Sequence, residues 1–261
     1  MNRSQMPVVF FGHGSPMNTL DRNQYTETWR KIGEAIPAPK AIVCVSAHWY
    51  TEGTAVTAMS RPRTIHDFYG FPQALFDVQY PAPGKPDLAE RVRELLAPVD
   101  VALDESWGLD HGTWSVLKHA YPKADVPVVQ LSIDGTQPPQ FHYELARRLA
   151  PLRDEGVLVA GSGNVVHNLR LMRRGGPAYD WAVRFNEKIR EALASRDHRA
   201  LVDFERLGGD ARLSVPTPEH YLPLLYIAAL QREDEAVSFP VDGYDLGSVS
   251  MLTAAAGVAT A

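Results

Sequence analysis

Four short runs of apolar, largely β-branched residues constrain this chain most: "VVFF" at 8–11, "AIVCVS" at 41–46, "PVVQLSI" at 127–133 and "VLVA" at 157–160. Each is apolar on both faces, the pattern of a strand in a parallel sheet covered by helices on either side. Amphipathic stretches lie between them, at about 25–36, 86–96, 113–120, 141–153 and 181–194. The second opens on Pro86-Asp87, and both residue types suit a helix N-terminus. A further helix is expected at about 219–231, and the closing "VSFPVDGYDLGSVSMLTAA" reads as strand-like pieces. This alternation predicts an α/β fold: one three-layer domain over 1–261, with a mostly parallel central sheet and helices on both faces.

In such folds ligands gather beyond the carboxyl ends of the parallel strands. Two of the runs end in a histidine there: "VVFFGHGSP" leads to His13 and "AIVCVSAHW" to His48. A turn needs glycine, which lets backbone and ligand approach closely, but has no use for an imidazole. The stretch "SRPRTIHDFYGFPQALFDVQYPAPGKP" has no sustained period and is rich in proline, aromatic and charged residues. Loops of this length in a compact domain usually serve as lids or binding loops, and the aromatic content argues against disorder.

Composition excludes several classes. A net charge of −5 without a Lys/Arg-rich run argues against nucleic acid as a partner. No apolar stretch approaches the roughly 20 residues that span a bilayer, and "MNRSQMP" lacks the apolar core of a signal peptide. The single cysteine, Cys44, excludes an internal disulfide, so a reducing cytoplasm is the expected location. Cys44 itself reads as a small core residue.

The nine histidines are not equivalent. His13, His48, His111 ("GLDHGTW"), His167 ("GSGNVVHNL") and His220 ("TPEHYLPLL") sit among turn residues or at element boundaries. His119, His142 and His198 lie in helical stretches and read as surface or packing residues, with His66 intermediate. Five boundary histidines point to a metal or acid–base site assembled from distant strand ends. No compact zinc motif is present. "GHGSP" lacks the Lys-Ser/Thr ending of a phosphate-binding loop, and "AGSGN" is not a nucleophile elbow. "GHGSPM" fails the sixth position of a dinucleotide fingerprint.

Together, "GHGSP", "SAHW", "HDFYGFP", "YPAPG", "GLDHGTW", "GSGNVVHNLR" and "EHYLPLLYIAAL" resemble, in this order, the DOPA 4,5-dioxygenase-type extradiol enzymes of the class III superfamily. The resemblance covers nearly the whole chain. It implies a non-haem metal enzyme that opens a catechol ring beside its hydroxyls with molecular oxygen. By motif, His13, His48 and His220 are the implied metal ligands, His167 a fourth residue at the metal, and His111 a catalytic or substrate-contacting histidine.

One divalent ion per chain is expected, Fe(II) for activity and Zn(II) as a bound or resting metal. Ferrous iron prefers six positions. A catecholate takes two and dioxygen one, which leaves three for protein. Four histidines suit tetrahedral zinc, so His167 is expected to ligate in a resting form and to leave, for proton transfer, when substrate binds. Glu219 is the carboxylate alternative to His220; adjacent helical residues point about 100° apart, so one of the two ligates. His66 is expected to hydrogen-bond a substrate substituent, with Tyr69 and Phe71 flanking the ring; a lid packed by its own aromatics is the alternative. Two other readings stay open, a zinc hydrolase on the same ligands and a non-enzymatic metal-binding interaction protein. So does assembly as a homo-oligomer.

Overall fold

Alternation along β1 (Val8–Gly12) sends Val8 and Phe10 to one face of the sheet and Val9 and Phe11 to the other. Along β2 (Ala41–Thr51), Val43 and Val45 share the first face, while Ile42 and Cys44 share the second. Both faces are therefore dry. Burying each such side chain fully contributes about 1.5–3 kcal/mol. The computed structural model describes residues 5–258.

With β5 (Val128–Asp134) and β6 (Val157–Gly163), these strands make a parallel core in the order β5-β2-β6-β1. The edges join this core antiparallel. β3 (Thr54–Thr57) joins β5 and carries β4 (Val101–Asp104) outside it; β10 (Thr253–Ala256) joins β1 and carries β7 (Val237–Val241). β8 (Tyr244–Asp245) and β9 (Val249–Ser250) form a separate two-stranded ribbon.

Helices Gln24–Ala35 and His111–Ala120 cover one face through Trp29, Ile32, Trp114 and Leu117. Helices Pro86–Leu96, Pro139–Arg147, Asp180–Ser195 and Leu222–Leu230 cover the other. Leu222–Leu230 is almost entirely buried, in keeping with its uninterrupted apolar sequence. The three-layer α/β expectation holds.

Several boundaries differ from the sequence expectation for physical reasons. The helix expected over 141–153 is two helices, Pro139–Arg147 and Ala150–Asp154. Pro151 has no N–H to donate, and its ring would clash with the Arg147 carbonyl in a continuous helix. The helix expected from 113 starts at His111, because Asp110 caps it by accepting from the Thr113 N–H at 3.1 Å. β3 and β4 are four residues each and border the irregular segments, too short for period to reveal. The 60–86 stretch holds only the short helix Gln73–Phe76 before Pro86 opens the next.

Candidate metal centre

β2, β6 and β1 lie side by side, and their carboxyl ends deliver the histidines. His13 follows β1 directly, its N–H bonded to the Gly163 carbonyl at 3.2 Å. Gly14 continues at φ +59°, a conformation that favours glycine, and turns the chain away. His48 lies where β2 shifts register against β5, between Val45 and Tyr50. Its last partner in β6 is at Ser46, so the bulge turns the imidazole off the ladder. His220 precedes the helix Leu222–Leu230 and is tied to the end of β6 by the Asn164 N–H, which donates to its carbonyl at 2.8 Å. A Cβ at Gly163 would collide with that same carbonyl, so the "GSG" of β6 is a close-approach device.

These three histidines converge. Their ligand atoms lie within 4.8 Å of one another, and His13 Nε2 is 3.1 Å from His48 Nε2. Each Nδ1 faces a protein oxygen behind the ring. Ser162 Oγ spends its hydrogen on the Gly112 carbonyl at 2.6 Å, so it accepts from His13 Nδ1 at 3.0 Å. His220 Nδ1 donates to Glu219 Oε1 at 3.1 Å, and His48 Nδ1 faces Asp67 Oδ2 at 3.2 Å without hydrogen-bond alignment. Those oxygens put the protons on Nδ1 and leave the Nε2 lone pairs facing inward. Facing lone pairs without a shared proton repel, so this donor set fits a cation between them.

Electrostatics agree. Burial, then the neighbouring histidines, pushes His13 and His48 well below the ordinary imidazole range. Burial also lowers His220, against the opposing pull of Glu219. Neutral imidazoles are the metal-binding form. Burial would raise Glu219, but the pull of His220 together with the hydrogen bonds from Thr217 and its own backbone outweighs it, and the carboxyl falls to about 2. Glu219 is thus turned to the back of His220.

Residues 7–248 match the family model described as the catalytic LigB subunit of aromatic ring-opening dioxygenase. The chain belongs to this family. Over 264 residues it is 53% identical to the 4,5-DOPA dioxygenase extradiol of Escherichia coli K12, covering 98% of this chain and 97% of that one. The Beta vulgaris 4,5-DOPA dioxygenase extradiol is 37% identical, with 93% of each chain covered. The crystal structure of an uncharacterized Escherichia coli K12 protein superposes with a TM-score of 0.85 at 48% identity, covering 96% of this chain and 99% of that one. This protein is an extradiol ring-cleaving dioxygenase, and its chemistry is metal-dependent. Of the three readings the sequence left open, ring cleavage is the one selected.

The remaining histidines of the dioxygenase divide. His111 lies beside His48, ring centroids 3.9 Å apart, with its Nδ1 donating to Asp67 Oδ2 at 2.9 Å and its backbone N–H to Asp67 Oδ1 at 2.9 Å. His167 stacks flat on His220, centroids 3.5 Å apart and planes 10° from parallel. Its ring nitrogen groups with Glu219 and His220 rather than with His13 and His48. Burial and the adjacent His220 push His167 down to about 2.

A cavity of about 430 Å³ opens over the histidines, walled by Pro16, Phe68, Tyr69, Phe71, Leu169 and Met172. A substituted catechol fits this volume. Tyr69 lines it but is 92% exposed, at the mouth. His66 departs from its expected position. It is absent from the wall; its Nε2–H donates to the Val78 carbonyl at 2.9 Å, and its ring packs on Phe68, Phe76 and Trp114. That is the aromatic-packed lid, the alternative left open above.

Sequence reasoning missed Asp67 and Ser162. Asp67 adjoins His66 in "HDF", and the imidazole drew attention from the carboxylate that reaches the centre. Ser162 was legible only as the middle of "GSG". No helix among the described residues is long and apolar enough to cross a membrane.

Proposed function

We propose that His13, His48 and His220 hold one divalent metal ion, with Fe(II) in the active enzyme and Zn(II) as a resting occupant, and that the substrate is a catechol of the DOPA type. The inward-facing Nε2 atoms, each with its Nδ1 turned to a protein oxygen, carry this reading. Bound there, the metal supplies the Lewis acidity and redox capacity that join a catechol to dioxygen. DOPA is the first substrate to test because the similar proteins are named for it.

The chain's own residues do the rest. The aromatic wall and Tyr69 hold the ring and exclude water from above. His111 is the proton-handling group: Asp67 fixes its Nδ1–H and its backbone, which leaves Nε2 free to accept a proton from a catechol hydroxyl. Asp67 also steadies the imidazolium this produces, as a carboxylate behind a histidine does in other acid–base sites. His167 is a neutral residue of the centre, and its flat stacking on His220, with its ring nitrogen near Glu219 and His220, supports a place beside the three proposed ligands over that of a permanent ligand. The lone thiol, buried Cys44, supports a reducing compartment.

Anaerobic loading with Fe(II), then mixing with catechols in air, tests the reading. A yellow ring-opened product from the native chain and none from His13→Ala is the expected result. Turnover of esters by a zinc form, with no ring opening, would overturn it.

A further inference from the structure

The charges around the cavity are one-sided. Among the described residues its wall contains no lysine or arginine. Its charged side chains other than histidine are Asp67 and Asp245. Asp67 is committed to His48 and His111. Asp245 lies on β8, half-buried, and among the described residues its carboxylate has no hydrogen-bond or ion-pair partner. The cation tied to the same loop, Arg173, faces elsewhere. Its guanidinium sits over the Tyr179 ring at 4.0 Å and donates to the Pro177 carbonyl. The groups left for a substrate carboxylate are the Ser15 and Tyr69 hydroxyls.

A catechol bound through its two oxygens would answer the metal's charge with the ring and not with its substituent. The substituent is then left for the rest of the cavity, whose lining includes Phe68, Tyr69, Phe71 and Asp245. An ammonium gains there twice, from an unpaired carboxylate and from aromatic faces that attract cations. A carboxylate finds like charge and no cation.

We infer that this cavity selects catechols whose ring substituent carries an aliphatic ammonium, and discriminates against those whose substituent carries only a carboxylate. The inference rests on the ring-cleavage site proposed above and names its substrate class. DOPA, which bears both charges, binds by its ammonium with the carboxylate left toward solvent.

The test uses Fe(II)-loaded protein and three probes of similar size: dopamine, ethylcatechol and dihydrocaffeate. Binding is first measured anaerobically by titration, and ring opening is then followed after oxygen is admitted. Dopamine should bind tighter than ethylcatechol by about fivefold at low salt, and dihydrocaffeate weaker by about the same factor, the scale of a partly exposed charge pair. Added salt should compress the series. Asp245→Asn should lower the dopamine-to-ethylcatechol ratio, leaving only the aromatic contribution. Equal affinities, a preference for dihydrocaffeate, or a ratio unmoved by Asp245→Asn would overturn the inference. Charge-ordered binding without ring opening would sink the ring-cleavage reading and leave the selectivity standing; ring opening without charge order would do the reverse.

Discussion

One carboxylate oxygen of Asp67 meets two histidines: Oδ2 accepts from His111 Nδ1 at 2.9 Å and lies 3.2 Å from His48 Nδ1. The lid loop is thereby fastened to the proposed acid–base residue and set beside a proposed ligand. Burial would raise the Asp67 carboxyl, but the hydrogen bonds from His111 hold it below its ordinary range, so it stays an acceptor. In Asp67→Asn the amide offers one acceptor oxygen, and its NH₂ must face an N–H that previously donated. The variant should fold, and should lose about 10–100-fold in metal affinity or turnover. Metal content and kcat measured together check this, and an Asp67→Asn enzyme with native values would show the bridge to be passive.

His111→Ala separates proton handling from metal holding. His111 is outside the His13, His48 and His220 trio, so the variant should keep its metal and still bind catechol anaerobically. Turnover should fall by about 10²–10⁴, the usual worth of a positioned acid–base group. Metal analysis beside single-turnover kinetics distinguishes the cases, and a metal-free variant would make His111 a ligand.

His66 and Tyr69 should now behave differently from each other. His66→Ala removes a packed ring and its bond to the Val78 carbonyl, so it should lower stability by about 1–3 kcal/mol and slow all catechols alike. Tyr69→Ala touches an exposed side chain at the cavity mouth, so stability should hold while the ranking of substituted catechols changes. Thermal unfolding and a small substrate panel suffice. A His66→Ala enzyme of native stability that reorders its substrates would restore His66 to the binding site.

His142 makes stability depend on pH away from the metal centre. It is fully buried, with Nε2–H donating to the Asp134 carbonyl at 3.1 Å and Nδ1 accepting from the Tyr226 hydroxyl at 3.1 Å. Burial lowers it from 6.5 to about 4. The unfolded chain therefore takes up this proton first as pH falls, and the contribution of neutral His142 is present above pH 6.5 and lost as pH drops toward 4. The loss amounts to about 3 kcal/mol at most, at 1.36 kcal/mol per pH unit. Denaturant unfolding of the native chain and of His142→Gln between those limits should show a shallower pH slope in the variant. Identical slopes would remove His142 from the account.

What was legible in the sequence follows from where each interaction is local. β1, β2, β5 and β6 announce themselves because both faces of each are apolar. His13 and His48 stand out because the chain places them where such runs end. β3 is hidden in a hairpin-like return after Gly53, and the split at Pro151 was masked by a helical period that continues across it. Asp67 could not be found locally, since its partners lie 19 and 44 residues away and only the folded lid brings them together. Asp245 was unremarkable in the sequence for a related reason: its meaning comes from the absence of a cation opposite it in the cavity.

The central claim is the position of the metal. Anomalous diffraction at the iron edge from anaerobically loaded crystals measures it directly. The account predicts one peak roughly 2.0–2.2 Å from Nε2 of His13, His48 and His220 together. A peak bound instead by Glu219 and His167, or by Asp67 and His111, would contradict it.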